Sequence, residues 1–111
     1  LYNNEQEVIA VQQNKDKLTT LAPYDVVVTS VSQDYDFISR YFWPANGGDE
    51  DPVTGSIHAG LVPLWAEKLN ENTLTAYQAS ARGGHLYCSL QGERVFISGQ
   101  AVSYLQGVID V

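Results

Sequence analysis

Residues 47–69 read GGDEDPVTGSIHAGLVPLWAEKL. From Ser56 onward, Leu61, Leu64, Trp65 and Leu69 share one helical face, while Ile57, Ala59 and Val62 cover much of the rest. A helix apolar nearly all round until Glu67 and Lys68 belongs in a core rather than on a surface. Pro63 removes one backbone hydrogen bond from it and favours a kink, at about 3 kcal/mol, which surrounding packing must offset. The rest of the fold is expected to be built round this helix.

The flanking segments read as the wall of that core. YDVVVTSV (24–31) is β-branched and bounded by turn residues, and YDFISRYFW (35–43) alternates Phe37, Ser39, Tyr41 and Trp43 against Ile38, Arg40 and Phe42; both predict strands. Residues 5–21 predict one or two short helices, the second opening near Asn14. From residue 73 the chain runs as short β segments, TLTAYQAS, HLYCSLQ, RVFISG and QAVSYLQGVIDV, punctuated by glycines as in an antiparallel meander. The predicted fold is α+β: a mostly antiparallel, curled sheet wrapped around a central buried helix, in one unit spanning residues 1–111.

Composition excludes several classes. With 111 residues, 44% of them hydrophobic and 17% charged, the chain can bury a real core. No apolar run approaches the roughly 18 residues of a membrane span. A net charge of -7 with only six Lys and Arg argues against a nucleic-acid partner. Cys88 is the single cysteine, so neither an internal disulfide nor a cysteine-cluster zinc site can form. Nothing at the start resembles a signal peptide, and a cytoplasmic location is expected. The chain has no Met and opens on LYNNEQ, so the expectation is a processed protein or part of a longer one.

The start of the predicted helix is the candidate site. A helix start offers up to four backbone N–H groups without intrahelical partners and a partial positive charge, which together suit an anion. Thr54 or Ser56 can cap, Gly55 lets a ligand approach the backbone, and the N–H groups of Gly55, Ser56 and Ile57 could face a carboxylate or phosphate. The competing reading is an ordinary N-cap. Asp51 stands just before it, with Pro52 biasing it toward extended backbone. A carboxylate held beside a bound anion at the lip of an apolar core suits general acid/base work, against the alternative of solvated loop charge, which is the reading for Asp49. The run of acids lacks the spacing of a calcium loop, and GGDEDPVTG lacks the lysine of a nucleotide-binding loop. No metal site is expected. His58 could reach a ligand from the helix start or be a satisfied core histidine. Arg82 could reach an anion but reads first as a brace for its turn, His85 as a surface strand residue and Cys88 as a buried, inert thiol.

Taken together, EDPVTGS (50–56), QASARGG (78–84) and SGQA (98–101), in this order and spacing, resemble the C-terminal half of PhzF-like proteins, the phenazine-biosynthesis isomerases related in fold to diaminopimelate epimerase. The likeness runs from about Leu18 to the C-terminus. It implies one lobe of a two-lobed, cofactor-independent isomerase, with the active site between lobes. Asp51 would then belong to the catalytic site, and Thr54, Gly55, Ser56 and His58 would hold a small anionic metabolite. The family's main proton-shuttling glutamate lies in the other lobe. Related epimerases carry a cysteine near the Asp51 position, which Cys88 does not occupy. Gly48 stands where an apolar residue is common, and Ile57 replaces the usual small residue after Ser56, which would narrow the approach. The implied partners are an N-terminal lobe or a second copy of the chain, in a homo-oligomer. The alternatives are a non-catalytic single-lobe binding or assembly module, and an epimerase or racemase of the same fold.

Overall fold

A computed structural model describes all 111 residues, Leu1–Val111. Strands β1 (Val26–Val31), β2 (Phe37–Phe42), β3 (Glu50–Asp51), β4 (Thr73–Gln78), β5 (Gly84–Gln91) and β6 (Arg94–Ser98) make one sheet. Its order is β1-β2-β4-β5-β6, with β3 paired to β2. Every pairing is antiparallel except β2 with β4, which the intervening helix α3 (Gly55–Leu69) permits. β2 gives β1 its whole length on one edge. Its other edge is divided: Phe37 to Ser39 pair with β4, and Tyr41 and Phe42 pair with β3.

Helix α3 lies on one face of the sheet, where Leu61, Val62, Trp65 and Ala66 meet Phe37, Leu74, Ala76, Leu86 and Cys88. Trp65 stacks on Phe37 with centroids 5.7 Å apart, and its indole N–H donates to Thr29 Oγ1 at 3.0 Å. Asn70, in the left-handed region at φ 55°, ends the helix. The opposite face of β1–β2 is covered by the N-terminal segment with α1 (Glu5–Ile9) and α2 (Lys15–Thr19), capped by the side chains of Asn4 and Asn14. Val8 is fully buried there.

Two expectations are corrected. Helix α3 is not enclosed: Ala59, Gly60, Pro63 and Leu64 are exposed, because the open sheet covers only one side of it. The carbonyl that Pro63 leaves without a donor, that of Ala59, lies on this wet side, where water rather than core packing can satisfy it. The strand expected within QAVSYLQGVIDV does not form. Residues 99–111 carry no regular structure, and Val102, Tyr104, Leu105, Val108 and Ile109 are almost wholly exposed, since no strand of this chain pairs with them.

Candidate active site

β3 is only two residues long, yet it decides what the neighbouring acids do. Its pairing sets Asp51 opposite Tyr41 and Glu50 opposite Phe42, so the two carboxylates leave opposite faces of the sheet. On the outer face, Glu50 makes a bidentate ion pair with Arg40, at 2.7 Å to Nε and 2.9 Å to Nη2. The Nη1 of Arg40 donates to the carbonyls of Val8, Ile9 and Val11, closing the end of α1. On the inner face, Asp51 Oδ2 accepts the Thr54 hydroxyl at 2.7 Å. Asp51 Oδ1 has no partner within the fold and is not sealed from solvent.

Thr54 is the N-cap residue of α3, but its side chain makes no capping bond. Its hydroxyl is drawn instead to Asp51, while the buried Gln78 amide takes the backbone. Gln78 Oε1 accepts the Thr54 N–H at 2.7 Å, and Nε2 donates to the Asp51 carbonyl at 2.7 Å and to Thr54 Oγ1 at 3.0 Å. The backbone N–H groups of Gly55, Ser56 and Ile57 consequently have no partner in the fold. Neither has the Ser56 hydroxyl, which is exposed beside them. A Cβ on Gly55 would meet no atom within 4 Å, so packing does not require glycine there; its bareness opens the backbone outward.

A cavity of about 700 Å³ opens beside this helix start, a size suited to a small molecule. Val53 and Gly55 form one wall, the turn Arg82–Gly84 a second, and Ser98–Val102 a third. The three motifs that stand far apart in sequence thus border one space. No carboxylate lines it, although the chain carries 13 Asp and Glu. No group of three His, Cys, Asp or Glu side chains is gathered as a metal ion would need.

The phenazine biosynthesis-like family profile matches residues 2–107. The chain belongs to that family. It is 50% identical over 109 residues to an uncharacterized isomerase of Pseudomonas aeruginosa, covering 98% of this chain and 42% of that protein. It is also 50% identical over 106 residues to an uncharacterized isomerase of Halalkalibacterium halodurans, covering 94% of this chain and 40% of that protein. A crystal structure of a PhzC/PhzF phenazine-biosynthesis protein from Clostridium difficile superposes with a TM-score of 0.87 at 43% identity, over 98% of this chain and 42% of that one. The fold is accordingly that of a PhzF-family protein, and the chain spans about two fifths of the length of these relatives.

Within this member of the PhzF family, Asp51, Gly55 and Ser56 do stand together at the start of α3, with polar groups free. Two of the expected ligand contacts do not. Every polar group of Thr54 is engaged internally: its carbonyl accepts from His58 Nδ1 at 2.7 Å, besides the bonds to Asp51 and Gln78. His58 is wholly buried, stacked obliquely near Phe37 with Ser39 Oγ 3.5 Å from Nε2, so it faces the core and not the cavity. Burial holds its pKa below the ordinary value, and the bond to the Thr54 carbonyl only partly opposes this. Both residues are struts for the helix start. Ile57 packs against the core cluster and does not narrow the approach, and the space a side chain at Gly48 would need is filled by the Trp43 ring.

Other residues take roles not expected of them. Gln78 and Glu50 carry the positioning described above, whereas Asp49 is the exposed loop charge expected, a partner of Lys15 and Gln13. Arg82 braces nothing: its guanidinium makes no hydrogen bond or ion pair, and the turn is held by Ser80, whose hydroxyl donates to the Pro52 carbonyl at 2.8 Å and accepts the Gly83 N–H at 3.0 Å. Cys88 is the inert thiol expected, its pKa pushed up to about 11 by burial. His85 is exposed on β5, packed with Tyr35 and Tyr77 at the rim of the cavity.

Proposed function

We propose that this chain is the substrate-anchoring lobe of a cofactor-independent isomerase, acting by proton transfer on a small carboxylate-bearing metabolite. The observation that carries the reading is the withheld cap. A threonine at the N-cap position ordinarily satisfies the second or third N–H of its helix; here its hydroxyl is turned to Asp51, leaving three N–H groups and the Ser56 hydroxyl unpartnered at a helix start whose first residue, Gly55, lines a cavity without carboxylates. Such donors, preorganised at a helix start, suit the carboxylate of a substrate, and strengthen as its negative charge grows when a neighbouring carbon loses a proton. Asp51 has one oxygen fixed by Thr54 and the other, Oδ1, free to take that proton or return one at another carbon. The names of the two bacterial relatives support an isomerase. Binding of the anion would belong to Gly55, Ser56 and Ile57, and proton transfer to Asp51 together with a group outside this chain.

We further propose that the lobe works against a second wall, a preceding lobe or another copy. The exposed apolar residues of 102–111 and the bare face of α3 favour such a partner. The intact protein carrying this chain should wash solvent deuterium into a C–H of its substrate, screened across small carboxylic acids by mass spectrometry. Asp51→Asn, whose amide oxygen can still accept from Thr54, should slow that exchange by about 10²-fold or more with the fold unchanged. Exchange at the wild-type rate in the variant would remove Asp51 from the chemistry.

A further inference from the structure

We propose that Arg82 is a second anchor for the substrate, and that the acid taken by this cavity carries two anionic groups. The proposal rests on the carboxylate site at the start of α3, to which it adds a specificity-determining residue on the opposite wall. Arg82 is the only Arg, Lys, Asp or Glu lining the cavity, where His85 is also present. Arg82 meets no carboxylate of the fold, and unlike the other unpaired cations, Lys17, Lys68 and Arg94, it borders the cavity.

Its place is fixed by the backbone and not by its own side chain. Gly83 sits in the left-handed region at φ 71°, and a Cβ there would lie 2.0 Å from the Tyr77 hydroxyl. A Cβ on Gly84 would lie 2.0 Å from Val53 Cγ2. Only a glycine pair lets this turn close against Val53, two residues past Asp51, and Ser80 then ties the turn to the Pro52 carbonyl. The backbone of Arg82 is thereby held beside the loop that carries Asp51, while its exposed side chain lines the cavity with all its donors free. A planar guanidinium with five N–H donors matches a carboxylate or phosphate in two-point contact. The helix start takes one anionic group, so an acidic group for Arg82 must be a second one on the same molecule.

The test compares two four-carbon acids, succinate and butyrate, at a fixed ionic strength of about 0.15 M to screen remote charges. Binding to the protein is followed through the amide resonances of Gly55, Ser56 and Ile57. A charge-assisted contact predicts succinate binding about ten-fold or more tighter than butyrate. Arg82→Gln should erase that preference and leave butyrate binding as it was; Arg94→Gln, a cation on the outer face of β6, should leave the preference intact. Equal affinities in the wild type, or a preference that survives Arg82→Gln, would overturn the second anchor while leaving the helix-start site standing. If neither acid moves these amides, the carboxylate site and the second anchor fall together.

Discussion

The two faces of the sheet at β2–β3 use the same kinds of side chain for opposite ends. On the outer face, Arg40 and Glu50 satisfy each other and close α1, and nothing is left over. On the inner face, Asp51, Thr54, Gln78 and His58 form an equally connected network, but it is arranged so that one carboxylate oxygen and three backbone donors stay unpaired. The outer face is finished as structure; the inner one is stable and still chemically open. One-residue alternation along β3 separates them, sending Glu50 to one side and Asp51 to the other.

Breaking the inner network should cost most. Gln78→Leu strands the Thr54 N–H and the Asp51 carbonyl in the core, with an expected loss of about 2–4 kcal/mol by denaturant unfolding. It should also free the Thr54 hydroxyl, so carboxylate binding falls by more than stability alone explains. On the outer face, Glu50→Gln leaves Arg40 partly desolvated without its charge partner, and about 1–2 kcal/mol is expected with carboxylate binding unchanged. A Glu50 variant that lost binding as completely as the Gln78 variant would erase the distinction between the faces.

A subtler break is by pH. His58 in the fold resists protonation, whereas in the unfolded chain it titrates near its ordinary 6.5. Below that pH the unfolded state binds a proton the folded state refuses, so stability should decline as pH falls from 6.5 and level off once the folded imidazole also protonates. His58→Asn, which keeps a donor toward the Thr54 carbonyl, should flatten that part of the stability profile relative to wild type. The smallest effect is expected at the surface: Asp49→Asn should leave the melting temperature unchanged, because exposed ion pairs contribute little.

Sequence made the scaffold legible because its signals are local. Apolar runs and β-branched residues mark β1, β2 and α3, and Asn14 marks the start of the second short helix. The family motifs likewise pointed to Asp51, Gly55 and Ser56, which the fold brings together at the start of α3. The roles of Glu50 and Gln78 were hidden because they depend on which strands pair and not on local pattern: the direction of Glu50 follows from pairing with Phe42 across a loop. Gln78 did leave a trace. Leu74, Ala76 and Gln78 alternate inward along β4, and a polar residue in the third inward position signals a buried hydrogen-bonding task. His58 stayed ambiguous because helical periodicity places it on the core side while the motif places it at the site. The segment 100–111 reads as a strand from its β-prone residues and flanking glycines, but pairing needs a neighbour that this chain does not supply.

The most direct test is a crystal structure of the protein with a bound small carboxylate. A carboxylate oxygen is expected about 2.7–3.1 Å from the N–H groups of Gly55, Ser56 or Ile57, with the Thr54 hydroxyl still on Asp51 Oδ2 and Oδ1 facing the ligand's carbon skeleton. A Thr54 side chain turned to cap its own helix, with the carboxylate bound elsewhere, would contradict that arrangement.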